Sequence, residues 1–207
     1  MPEHSGTHID ALAHQAENLT LQGGVNVDSG VQTSAGFRVL GVETMAPLVA
    51  RGVLLDVAGP KRLPLDHSIT REELERAGAR AGVEIRARDV VLVRTGYGAL
   101  WSKPDEYLNG AGVSTEASRW LVEKQVTAVG ADNMAWDVIG PTDPELGVTL
   151  PGHILLLVRA GIPIIENLNL EELAAADVHE FAFVCLPLKV CNLRRKSGPQ
   201  LCFNLFR

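Results

Sequence analysis

The chain has 207 residues, 46% apolar and 21% charged, a globular composition with enough length to bury a core in one domain. Its 25 acidic and 19 basic residues give a formal charge of -6, which argues against nucleic-acid binding, since phosphates demand a concentrated basic surface. No run of about 18 apolar residues offers a membrane span, and no basic-then-apolar start reads as a signal peptide.

The N-terminal HSGTHIDALAH places three of the six histidines within the first fourteen residues, with an aspartate among them. Next, residues 23–36 lack periodicity and are rich in Gly, Ser and Asn, the pattern of a lid or binding loop. GVLLDVAG (52–59) reads as a buried strand and ITREELERAGARAG (69–82) as a helix, with Thr70 and Glu73 at capping-box spacing. DVVLVRTG (89–96) is a second apolar strand, STEASRWLVEKQ (114–125) a second helix, and VTAVGAD (126–132) a third strand. GHILLLVRAG (152–161) is apolar nearly all round, as a buried helix is. IPIIEN (162–167), NLEELAAA (169–176) and EFAFVCLPLKV (180–190) complete the alternation as strand, helix and strand. Helices between strands predict an α/β domain with parallel pairing.

Cys185, Cys191 and Cys202 are odd in number and lack CxxC spacing, so neither a disulfide framework nor a zinc knuckle is expected. Arg194, Arg195 and Lys196 form the only basic run, and it reads as a solvated tail. A soluble, cytoplasmic protein with no nucleic-acid or membrane partner is expected.

The histidines carry the chemistry. Gly6 and Thr7 are poor helix-interior residues, whereas an extended chain turns His4, Gly6, His8 and Asp10 to one side. Gly6 then leaves a gap between two imidazoles, and two imidazoles with a carboxylate suit Zn²⁺, Mn²⁺ or Fe²⁺. Three protein ligands leave a position for water, whose pKa falls to about 7 on such an ion. His14, four residues beyond Asp10, suits proton transfer because imidazole titrates near pH 6.5.

Other residues admit two readings. Glu166 ends an apolar strand, where a carboxylate is costly unless paired or ligated. His153 opens an apolar helix as a ligand or as a satisfied core histidine. Asp132 and Asp137 flank NMAW at a strand exit, as site residues or turn caps. Tyr97 and Trp101 would wall an aromatic substrate or pack the core. Arg94 would hold a carboxylate product or pair with a structural acid.

HSGTHIDALAH resembles HxGTHxDxPxH, the signature of the cyclase superfamily of metal-dependent hydrolases, which includes bacterial kynurenine formamidase and isatin hydrolase. GVLLDVAG, ITREELERAG, RDVVLVRTGYGALW, AVGADNMAWD and GIPIIENLNLEEL resemble family segments in the same order, over roughly residues 4 to 190. The resemblance implies a swivelling β/β/α fold, a mixed sheet with flanking helices, and a homodimer or higher oligomer. It also implies His4, His8 and Asp10 as metal ligands, His14 as general acid/base, and His153 and Glu166 as ligands of a second metal. The implied ion is Zn²⁺ in formamidases and Mn²⁺ in isatin hydrolase.

Three departures stand out. Leu12 occupies the signature's proline position, the interval from His153 to Glu166 is one residue longer than in formamidases, and residues 191–207 diverge. The family also carries strands before the signature, so the metal strand is expected at an exposed edge.

The expected activity is hydrolysis of a C–N bond in an amide, formamide or lactam, such as N-formylkynurenine in tryptophan catabolism or an isatin-like lactam. Two alternatives stay open. One is a non-catalytic metal-binding fragment or pseudoenzyme, and the other a metal-dependent lactone hydrolase or dehydratase.

Overall fold

Five of the apolar runs and the histidine segment join into one sheet in a computed structural model, which describes residues 6–34 and 36–188. His4 and the tail from residue 189 onward lie outside the described residues. The strands are β1 (His8–Asp10), β2 (Leu48–Asp56), β3 (Val90–Arg94), β4 (Ala128–Ala131), β5 (Ile164–Glu166) and β6 (Glu180–Cys185). Their order across the sheet is β1-β5-β4-β3-β2-β6. The inner four run parallel, and β1 and β6 lie antiparallel at the two edges. The expected α/β architecture with a mixed sheet is therefore present. β2 begins earlier than its apolar run because Leu48–Arg51 pair with β6 from Cys185 to Ala182.

Helix α1 (Arg71–Ala81) starts where the capping box predicts. Thr70 Oγ1 accepts from Glu73 N–H, the Glu73 carboxylate accepts from Thr70 N–H, and Gly82 closes the helix at φ 65°. Ser114 caps α2 (Thr115–Glu123) by accepting from Ala117 N–H. The third helix, α3, changes character along its length, with an α turn at Pro151–His153 and then a π-helix over Ile154–Ala160. The short α4 (Glu171–Ala175) follows β5.

Alternation along the strands sends side chains to two cores. Val53, Leu55, Val91, Val93, Val129 and Ile164 pack with α1, α2 and α3 on one face. Ile9, Leu54, Val90, Leu92 and Ile165 pack with Leu168, Leu170 and Phe183 on the other. The expected loop 23–36 folds back as two small ribbons, pairing Thr20–Leu21 with Val25–Asn26 and Gln32–Thr33 with Gly36–Phe37. Among the described residues β1 pairs with β5 alone, yet His8, Ile9 and Asp10 are all buried. Among the described residues the metal strand therefore lies at a sheet edge with its side chains buried.

Candidate metal centre

Two neighbouring strands build the first half of the site. The β1–β5 ladder aligns His8 with Glu166 and Asp10 with Ile164. Because His8 and Asp10 are two apart, they share a sheet face, and Glu166 joins them from the opposite strand. His8 Nε2 lies 3.2 Å from Glu166 Oε2 and 3.7 Å from Asp10 Oδ1.

The second half comes from a turn and a helix. Beyond β1, His14 N–H donates to Ala11 O at 2.8 Å and Ala13 N–H to Leu40 O at 3.1 Å. These bonds close the turn that presents His14 without the signature's proline, and Leu12 instead packs against the helix-side core. His14 Nε2 is 3.8 Å from Asp10 Oδ2. From α3, His153 Nε2 is 3.5 Å from Asp10 Oδ2 and 3.4 Å from Glu166 Oε1. Between His153 and Glu166 the chain forms a π-helix, which carries more residues per turn than an α-helix.

Asp10 is thus the common member of two ligand groups, His8–Asp10–Glu166 and Asp10–His14–His153. Both its carboxylate oxygens are buried without a hydrogen bond among the described residues, an arrangement that is expensive unless a cation sits beside them. The separations also suit an ion: two ligand atoms about 2.1 Å from one tetrahedral centre lie roughly 3.4 Å apart. The residues present therefore fit a divalent metal. His4 lies outside the described residues.

Protonation follows from the surroundings. Burial opposes charge on His8, but the Glu166 hydrogen bond and the Asp10 and Glu166 charges outweigh it and raise its pKa. For His153 burial is again the largest influence, yet contacts with Asp10, Asp137 and Glu166 hold its pKa well above the ordinary imidazole value. His14 differs from the others in exposure, with 16% of its side chain open to solvent while those of Asp10, His8 and Glu166 are closed.

A supporting shell orients these groups. The His8 Nδ1–H donates to Gly6 O at 3.0 Å, leaving Nε2 for the site. Asn167 Nδ2 donates to the same carbonyl at 3.2 Å, and the buried Tyr107 hydroxyl donates to Asn167 Oδ1. Burial, then the Asp132 and Glu166 charges, push the Tyr107 pKa up, so it stays a donor. Tyr107 lies outside every apolar run and outside the histidine motif. Asn167 announced itself only by following the strand-ending Glu166, where it adopts φ 55°.

The remaining candidates separate. Asp132 accepts from Thr95 N–H and Oγ1–H and from the Gly96 and Gly98 N–H groups, so it caps the loop after β3. Asp137 accepts from backbone at the start of α3 and also contacts His153 Nδ1. Arg94 pairs with Asp56 and Glu171, the structural-acid alternative. Tyr97 is fully buried and donates to Leu63 O at 3.1 Å, which places it in the core and away from any open wall. Trp101 is 48% exposed and stands edge-on to Tyr107, with ring centroids 5.3 Å apart.

Residues 1–138 match the model of the Cyclase family, described as "Putative cyclase". Cyclase-like protein 3 of Oryza sativa subsp. japonica is 26% identical over 92% of this chain, and Cyclase-like protein 1 of Arabidopsis thaliana is 27% identical over 96%. The chain spans 58% and 65% of those two proteins. Among solved structures, a novel cyclase superposes with a TM-score of 0.81 at 30% identity, covering 93% of this chain and 66% of that one. Isatin hydrolase A from Ralstonia solanacearum gives a TM-score of 0.61 at 26% identity, covering 82% and 61%. A potential metal-dependent hydrolase with cyclase activity gives a TM-score of 0.56 at 26% identity, covering 94% of this chain and 75% of that one.

No helix among the described residues is long and apolar enough to cross a membrane.

Proposed function

The chain belongs to the Cyclase family, and from that premise we propose that it is a metal-dependent hydrolase cleaving a C–N bond of an amide, formamide or lactam. The observation that carries this reading is Asp10, a buried carboxylate shared by two His/carboxylate groups at ligand separations. His4, His8, Asp10, His153 and Glu166 would hold one or two Zn²⁺ or Mn²⁺ ions. When bound, a divalent ion supplies Lewis acidity toward a carbonyl and lowers the pKa of water toward about 7.

The chain's own residues do the rest. His14 is close enough to Asp10 to face the reacting atoms and open enough to exchange protons with solvent. It takes a proton from the attacking water and returns it to the departing nitrogen, which leaves as an amine. Burial of His8, Asp10, His153 and Glu166 keeps bulk water away from them and strengthens their charges. Trp101, half exposed and edge-on to Tyr107, supplies apolar surface for an aromatic substrate, while Tyr97 packs with Tyr107 in the core. The isatin hydrolase likeness supports an aromatic amide or lactam. One domain over 1–207, a homo-oligomer and a cytoplasmic setting complete the reading.

The test is elemental analysis of purified protein, together with an amide, formamide and lactam screen before and after chelation. Turnover lost on chelation and restored by Zn²⁺ or Mn²⁺ supports the proposal. Stoichiometric metal without turnover overturns the hydrolase and leaves a metal-binding protein. Turnover confined to lactones moves the chemistry to C–O bonds.

A further inference from the structure

Three donors converge on Asp137, which is buried on the loop after β4. Gly152 N–H reaches Oδ1 at 2.7 Å, His153 N–H reaches Oδ2 at 3.2 Å, and His153 Nδ1 lies 2.8 Å from Oδ2. An ionised carboxylate only accepts, so the proton of this contact belongs to Nδ1, and Nε2 is turned toward Asp10 and Glu166. We infer that Asp137 is the positioning residue of the metal centre, setting the tautomer and ring orientation of His153; this rests on the metal reading above.

The loop holds Asp137 in place without help from His153. Asn133 Nδ2 donates to Trp136 O at 3.1 Å, Val113 N–H donates to the same oxygen at 2.7 Å, and the buried Trp136 donates through Nε1 to Ser118 Oγ at 3.0 Å. Two glycines make room for the segment. A Cβ at Gly112 would lie 2.3 Å from the Asp137 carbonyl carbon, and one at Gly152 would lie 2.7 Å from Oδ1.

The carboxylate is the one side chain that meets all three donors at this reach. Asparagine has a single acceptor oxygen, so serving Gly152 N–H turns its NH₂ toward His153 Nδ1. That geometry favours the tautomer with hydrogen on Nε2, which cannot ligate a metal through that atom. His8 is held differently, through the neutral Gly6 carbonyl. The two imidazoles are therefore not equivalent, since a carboxylate partner raises ligand basicity and a carbonyl does so less.

The experiment measures Zn²⁺ affinity by competition with a chromophoric chelator for the wild type, Asp137→Asn, His153→Ala and the double variant. Asp137→Asn is expected to weaken zinc about 10- to 100-fold with an unchanged far-UV circular dichroism spectrum. Adding it to His153→Ala is expected to cost nothing more. Wild-type affinity in Asp137→Asn, or equal weakening in the His153→Ala background, overturns the inference while the metal centre stands. A wild type that takes up no zinc overturns the metal reading itself. Should Asp137→Asn fold poorly, ¹H–¹⁵N spectra of the zinc-loaded wild type decide instead. Hydrogen on His153 Nδ1 with zinc on Nε2 supports the inference, and zinc on Nδ1 sinks it.

Discussion

His8 and Glu166 stand directly opposite on antiparallel strands, and their side chains meet 3.2 Å apart between Nε2 and Oε2. This single cross-strand pair brings the N-terminal histidine motif to a carboxylate far along the chain. The register matters more than the distance: a one-residue slip would turn Glu166 to the opposite face, where Ile165 now packs with Ile9.

Asp10 is the member common to both ligand groups, so its loss should be felt by both. Asp10→Asn is expected to abolish stoichiometric metal, measured by elemental analysis after dialysis. A variant that keeps the wild-type metal content contradicts the shared role.

His14 is assigned to proton transfer. His14→Ala is expected to retain metal and lose about 10²- to 10⁴-fold in kcat, the usual worth of general acid–base catalysis. Full turnover in the metal-loaded variant removes His14 from the chemistry, and loss of metal would make it a ligand.

Metal removal should expose a pH dependence. Burial disfavours charge on His8 and His153, but contacts with Glu166 and Asp10, joined at His153 by Asp137, raise both pKa values. Their protons stabilise the metal-free fold fully below about pH 6.5, the unfolded value, and that contribution is lost as pH rises through the folded values. Metal-free protein should therefore melt lower at about pH 9 than at about pH 6, with ligand protonation as the cause. Metal binding releases these protons, so loaded protein should show the smaller drop. Thermal melts with and without chelator test both statements, and a metal-free Tm that rises with pH contradicts them.

Gly112 and Gly152 flank the Asp137 segment more closely than any Cβ allows. Gly112→Ala is expected to destabilise by about 1–3 kcal/mol, the usual cost of overpacking, because the clash is with backbone that cannot swing away. Denaturant unfolding measures it. An unchanged midpoint would mean that the loop has slack.

Much of this arrangement is legible before folding. The alternation in HSGTHID already turns His8 and Asp10 to one face, because an extended chain has a period of two. The Thr70/Glu73 capping box forms as its spacing implies and starts α1 at Arg71, inside the expected 69–82 span, since its hydrogen bonds are local. Apolar runs locate the strands through burial, though not the extension of β2 to Leu48, which depends on pairing with β6.

The sequence by itself determined the ligand types, their shared strand face, the order of helices and strands, and the family likeness, because each is written in local spacing. Tertiary structure set the geometry in which Glu166 and His153, already implied as ligands by the resemblance, close on Asp10. It alone decided that Asp137 both caps α3 and faces His153, and that Tyr107 braces Asn167. It also moved Tyr97 into the core and gave Arg94 to structural acids. These outcomes depend on which distant strands become neighbours and in what register, and no local spacing encodes that choice.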